Sequence, residues 1–225
     1  MNVRTLFFLV FAASGTLLVS AEETHKLAPL QQAPDGLSKK ITPLLNPNGF
    51  RISGPKGAVC DVWLAKSVPI IPGFKPALSV KYPFAPGQLL GALRVAKGSG
   101  FTDFRGQNIA TGLYTLRYGQ QPEDGNHIGT SETADFLLAL PAKMDTDPKP
   151  IAGPDKLSEQ SAKSVSSTHP AIFSLLPSEK PPKKATLNYE DDREFWIVTL
   201  TISGIAQDKK IKVPLRFVAI GRAQE

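Results

Sequence analysis

Residues 194–220 read EFWIVTLTISGIAQDKKIKVPLRFVAI, and their period is two. Trp196, Val198, Leu200 and Ile202 fall on one side of an extended chain, opposite Phe195, Ile197, Thr199 and Thr201. Both sides are apolar or β-branched, as a central strand requires. Farther on, Ile211, Val213, Leu215, Phe217 and Ala219 make a second stripe, opposed at first by Lys212, Pro214 and Arg216. Pro214 has no N–H to give to a ladder, which places this strand at a sheet edge or a bulge. The two runs, joined across Ser203 to Asp208, predict a C-terminal hairpin.

Toward the N-terminus the same pattern recurs in short pieces. Gly49 to Gly54, Ala58 to Ala65, Leu78 to Tyr82, Gln88 to Val95, Leu113 to Gly119, Ala134 to Leu140, Ala171 to Leu176 and Ala185 to Tyr189 are β-type runs separated by Gly and Pro. Many short strands with turn residues between them predict a mainly β fold, an antiparallel β-sandwich of the Ig-like or jelly-roll-like kind. One short surface helix is expected over Pro154 to Ser166, where Pro154 suits a first turn and Leu157, Ser161 and Val165 share a thin face. Met144 to Pro154 and Leu176 to Lys184 are Pro-rich connectors. Residues 22–48, with Leu44 and Leu45 as the apolar anchor, read as an extended, partly disordered leader. Residues 49–225 read as a single domain, since neither half is large enough for a sandwich of its own.

The first 21 residues carry Arg4, an apolar run from Leu6 to Val19 broken at Ser14 to Thr16, and a Val19-Ser20-Ala21 ending. This is the pattern of a secretory signal peptide cleaved after Ala21. It is shorter than the ~20 apolar residues of a membrane span, and no later run approaches that length, so no transmembrane segment is expected in the mature chain. The expected location is therefore periplasmic or secreted. The single cysteine, Cys60, rules out an intramolecular disulfide and reads as a buried apolar thiol. A formal charge of +6 is carried by scattered or loop lysines. Without a basic stripe interleaved with aromatics it describes a solvated basic surface with weak affinity for anionic polymers, and nucleic-acid binding is not expected.

The densest polar region runs from Phe101 to Asp135. In one reading Asp103, Asp124, Asn126, His127 and Asp135 converge as ligands for a divalent metal or as hydrogen-bonding partners of a sugar, while Arg105 and Arg117 clamp an anionic group. In the other, Asp124-Gly125 is a turn, His127 satisfies loop backbone, and Arg117 pairs with Asp103 or Asp135 inside the sheet. The spacing matches neither a calcium loop nor a zinc pair, which favours the second reading. Two further arrangements carry less weight. Ser167, His127 and an aspartate would make a hydrolase triad, but no Gly-x-Ser-x-Gly elbow is present. Asp61 and Trp63 would share a strand face as in a carbohydrate platform, although a tryptophan so placed more often belongs to the core.

The segments Gly112 to Tyr118, Gln121 to His127 and Asp135 to Leu138, with Ile52-Ser53-Gly54, Val62 to Ala65 and His169-Pro170, resemble an uncharacterised family of exported β-rich proteins from environmental bacteria. The similarity covers most of the mature chain. It implies an exported bacterial β-protein; no activity is assigned to the family, so it implies no chemistry and transfers no catalytic residue. With no cofactor fingerprint in the sequence, no cofactor is expected. The function expected is that of a non-enzymatic binding or envelope-associated module. The alternative is an extracytoplasmic metal-dependent or carbohydrate-active protein using the 103–135 cluster.

Overall fold

A computed structural model describes residues 24–121 and 131–223; the expected signal peptide lies outside them. The architecture is mainly β. A large antiparallel sheet contains β1 (Lys26–Leu30), β2 (Gly49–Gly54), β3 (Gly57–Leu64), β5 (Leu89–Val95), β6 (Gly112–Gln120), β7 (Asp135–Pro141) and β8 (Ile172–Ser174) in that order. A smaller sheet runs β11 (Lys209–Ile220), β10 (Phe195–Ala206), β4 (Val68–Pro69), with β9 (Thr186–Glu190) also paired to β10. The only helix of regular α type among the described residues is α1 (Pro154–Ala162).

In the large sheet each strand pairs with the next one in the chain, apart from the short β4, so the sheet is a meander. Greek-key crossings, which Ig-like and jelly-roll sandwiches use, are not part of its order. The sheet curls until β8 reaches the other sheet. Leu175 forms a bridge with Phe217, and the Leu176 N–H donates to the Arg216 carbonyl at 2.8 Å. At the opposite end the His25 ring lies 4.7 Å from the Trp196 ring.

Alternate residues of both sheets belong to one main core cluster, Val62, Leu93, Leu116 and Leu137 of the large sheet with Val198, Leu200, Leu215 and Phe217 of the smaller one. Outside the curl, at the seam between β7, β8, β11 and β10, a second cluster gathers Phe136, Leu138, Leu140, Ile197 and Val218 under Leu157 of α1 and Phe104. A sheet covered on both faces needs apolar residues at successive positions. This is why Phe136, Leu137, Leu138, Ala139 and Leu140 are all buried.

The C-terminal hairpin extends farther than its apolar stripes predict. Pairing continues through Ser203–Lys212 to Ala206–Lys209, closed by Gln207 and Asp208 at φ 47° and 65°. Two consecutive positive φ values give the tight turn whose twist matches the strands. β11 is an edge strand of the smaller sheet, which accommodates Pro214.

Lys26–Leu30 pairs with β2, and Ile41 and Leu45 are buried in the main core cluster. What holds them is tertiary. The Trp63 Nε1–H donates to the Gln32 carbonyl at 2.7 Å, and Ser38 Oγ donates to the Thr146 carbonyl at 2.7 Å. Two expectations, on Leu78 to Tyr82 and on the end of the helix, differ from the structure. Leu78 to Tyr82 is not a strand but a turn-rich passage, with the Ala77 N–H donating to the Val80 carbonyl; the flanking Pro76 and Pro83 remove ladder donors. The helix ends at Ala162 rather than Ser166, where φ is 52°.

Candidate functional site

β6 is the strand on which the candidate residues depend, because its two faces lead to different environments. Tyr114, Leu116 and Tyr118 point into the curl, and Thr115 and Arg117 point outward beneath the connector that follows β7. Arg117 is fully buried. Its Nε and Nη2 form a two-pronged contact with Asp145, at 2.6 and 2.7 Å. Nη1 donates to the carbonyls of Gly87 and Lys149 at 2.7 and 2.8 Å, and Nη2 also reaches the Asp147 carbonyl. Thr115 Oγ1 donates to the same Asp145 carboxylate. Buried charge is tolerated only when paired and fully hydrogen-bonded, and a planar guanidinium meeting a carboxylate side-on satisfies both demands. The expected partners, Asp103 and Asp135, are not the ones used. Gly87 fits this arrangement for a steric reason: φ is 79°, and a Cβ there would stand 2.0 Å from the Ile151 carbonyl oxygen.

Asp103 is also fully buried, in the loop before β6. Oδ1 accepts from the N–H groups of Arg105 and Gln107 at 3.0 and 2.8 Å. Oδ2 accepts from Gln107 Nε2 at 2.9 Å and from the Ile172 N–H at 3.2 Å. This carboxylate folds its own loop and fixes the start of β8. Burial pushes its pKa above the ordinary aspartate value, against the pull of those hydrogen bonds. Arg105, at the loop's apex, is exposed.

Asp135 opens β7 from the inner side. Tyr118 Oη donates to Oδ1, and the Lys81 N–H donates to Oδ2 at 2.6 Å. Gln120 Nε2 donates to the Tyr118 hydroxyl at 2.9 Å. Burial again raises the carboxyl pKa, and burial beside this carboxylate drives the Tyr118 phenol upward. Nearby, Tyr82 Oη donates to the Leu176 carbonyl at 2.8 Å and accepts from the Arg216 N–H at 3.0 Å. It thereby ties the passage before β5 to the seam between the sheets.

Asp103, Arg117 and Asp135 thus have three separate sets of partners. Asp124, Asn126 and His127 lie outside the described residues. Among the described residues, no group of three His, Cys, Asp or Glu side chains is placed to hold a metal ion. His169 donates its N–H to Ser167 Oγ at 3.2 Å, a local turn contact on an exposed segment. Trp63 is fully buried, its Nε1–H bound to the Gln32 carbonyl and the Arg94 guanidinium 5.2 Å from its ring. Its strand neighbour Asp61 is held by the Arg51 guanidinium at 2.7 and 2.9 Å. Trp63 therefore gives no open aromatic platform. Cys60 lines a small apolar cavity inside the curl with Leu93, Phe101, Leu116, Phe173, Phe217 and Ala219. Burial, reinforced by the neighbouring Asp61 charge, pushes its thiol pKa far up, away from nucleophilic chemistry.

Asp145, Tyr118 and Tyr82 complete these networks and were not singled out from the sequence. Asp145 sits in a Pro-rich connector 28 residues from Arg117, and only the fold brings the two together. No family model, curated protein or solved structure matches the chain.

Proposed function

We propose that the chain is an exported, non-enzymatic β protein acting as a binding or envelope-associated module. In this reading the two sheets pack face to face as a sandwich. One observation carries the non-enzymatic part: the three buried candidate groups, Asp103, Arg117 and Asp135, direct their donors and acceptors to backbone and to separate supporting side chains, Gln107, Asp145 and Tyr118. A catalytic or metal-binding carboxylate must keep an atom directed at its substrate or ion. These carboxylates are turned inward and hold connectors to strands.

Export is supported by the charged, apolar and small-residue order of the first 21 residues. A lone cysteine buried in the core is compatible with an oxidising compartment. Among the described residues no helix is long and apolar enough to cross a membrane. The inward-facing stripes of β10 and β11 against those of β3, β5 and β6 support the sandwich.

The test is expression of the full chain with a C-terminal tag in a bacterial host, followed by fractionation and N-terminal sequencing. The expected product lies outside the cytoplasm and begins at Glu22. Cytosolic protein, or extracytoplasmic protein retaining Met1, contradicts the reading.

A further inference from the structure

Val62 to Thr102, the longest stretch of the sequence without an acidic residue, and Lys209 to Ala223 carry lysine and arginine with no Asp or Glu between them. The fold joins them at one end of the molecule. Val68 and Pro69 pair in parallel with Gly204 and Ile205, and the Ile70 N–H donates to the Ile205 carbonyl at 3.0 Å. This end consists of the β10–β11 hairpin tip and the turn after β4. A third basic stretch enters beside it: Thr186 pairs with Thr199, so Lys183 and Lys184 precede β9 from the tip side of the sheet.

The surface there is both basic and apolar. Lys75, Lys183, Lys184, Lys209, Lys210 and Lys212 are exposed. None of the three tip lysines takes part in an ion pair among the described residues; the acid at the turn itself is Asp208. Between them Ile211 is 45% exposed, and on the adjoining turn Ile71 is 42% exposed. The Ile70, Val213 and Ile211 side chains all close on Gly204, where a Cβ would lie 2.9, 3.0 and 3.3 Å from them. Along β11 the inner stripe runs from buried Val213 to exposed Ile211, so the apolar face continues beyond the protein body while Lys210 and Lys212 line the other face.

We infer that this end docks on an anionic lipid surface, with Lys209, Lys210 and Lys212 at the headgroups and Ile71 and Ile211 in the interface. A soluble polyanion would satisfy the lysines but offer the isoleucines nothing. A bilayer of anionic lipid satisfies both, since long lysine side chains reach the headgroup level while apolar neighbours enter below it. The inference builds on the envelope-associated reading of the function and names the partner.

Sedimentation of the full chain with vesicles tests it. Phosphatidylcholine vesicles are compared with vesicles of equal parts phosphatidylcholine and phosphatidylglycerol. Partitioning should favour the anionic vesicles by roughly tenfold or more and weaken as salt is raised, each lysine near the surface being worth about fivefold. Replacing the three tip lysines (K209E, K210E, K212E) should remove that preference. The pair I71S and I211S should lower binding to the anionic vesicles by roughly tenfold while leaving its salt dependence in place. All five are surface positions, and an unchanged melting temperature certifies the fold of each variant. Equal partitioning to both vesicles, or a charge-reversed variant that binds as wild type does, overturns the inference. So does binding to soluble alginate that needs the lysines while the vesicles sediment without protein, an outcome that assigns the surface to a polymer. Because the vesicles are added to purified protein, failure of export in cells and failure of lipid docking are separate results.

Discussion

Arg117 lies within a largely apolar strand and is fully buried there. An arginine within an apolar strand must find a carboxylate, and the sequence offers Asp103 and Asp135 nearby. The partner is Asp145, because strand pairing places the outward face of β6 beneath the connector that follows β7. Residue type was legible in the sequence; the partner was not, since register and loop path decide it. Arg117→Met should cost about 3–5 kcal/mol in urea unfolding, because Asp145 is then left as a buried charge without its counter-ion. Adding Asp145→Leu should restore part of that loss, and a double variant no better than the single one contradicts the pairing. Asp135 makes a pH prediction. Its carboxyl pKa is raised by burial, so the folded chain holds that proton more tightly than the unfolded chain does. The stability this contributes is fully present below the unfolded aspartate value and is lost as pH rises through the folded one. Melting temperatures of wild type and Asp135→Asn should therefore diverge in favour of wild type as pH falls from about 7 to about 4. A gap that stays constant or closes would show that burial does not govern this carboxylate.

At the scale of elements, the clearest periodicity gave the most secure reading. The β10 and β11 stripes predicted the hairpin, and Pro214 predicted an edge strand. The missing portion, Ser203 to Ala206 and Lys209 to Lys210, has no stripe to read, and its turn is Gln-Asp rather than the usual Asn-Gly. The N-terminal segment was harder for a different reason. Its few apolar residues are isolated among Pro, Gln and Lys, and nothing local tells a packed coat from a loose leader. Ile41 is fully buried with the main core cluster. Ile41→Ala should accordingly cost ~2–5 kcal/mol in chemical denaturation. A disordered leader would register no change.

Across the whole molecule, the lack of acids in Val62 to Thr102 and in Lys209 to Ala223 is plain in the sequence, yet its meaning depends on β4 pairing with β10, a two-residue contact with no pattern of its own. The same holds for the polar cluster. Its polar residues stand out in the sequence, and the fold sets Asp103, Arg117 and Asp135 at three separate joints between loops and strands. The proposed function rests on these side chains holding the molecule together rather than binding an ion. Thermal melting of the full chain in EDTA, in calcium and in zinc tests it most directly, because a ligand that binds only the folded state raises the melting temperature by mass action. The account predicts the same midpoint in all three conditions, with Arg117→Met lower by a similar amount in each. A midpoint that rises with calcium or zinc, and loses that rise in Asp103→Asn or Asp135→Asn, would contradict it.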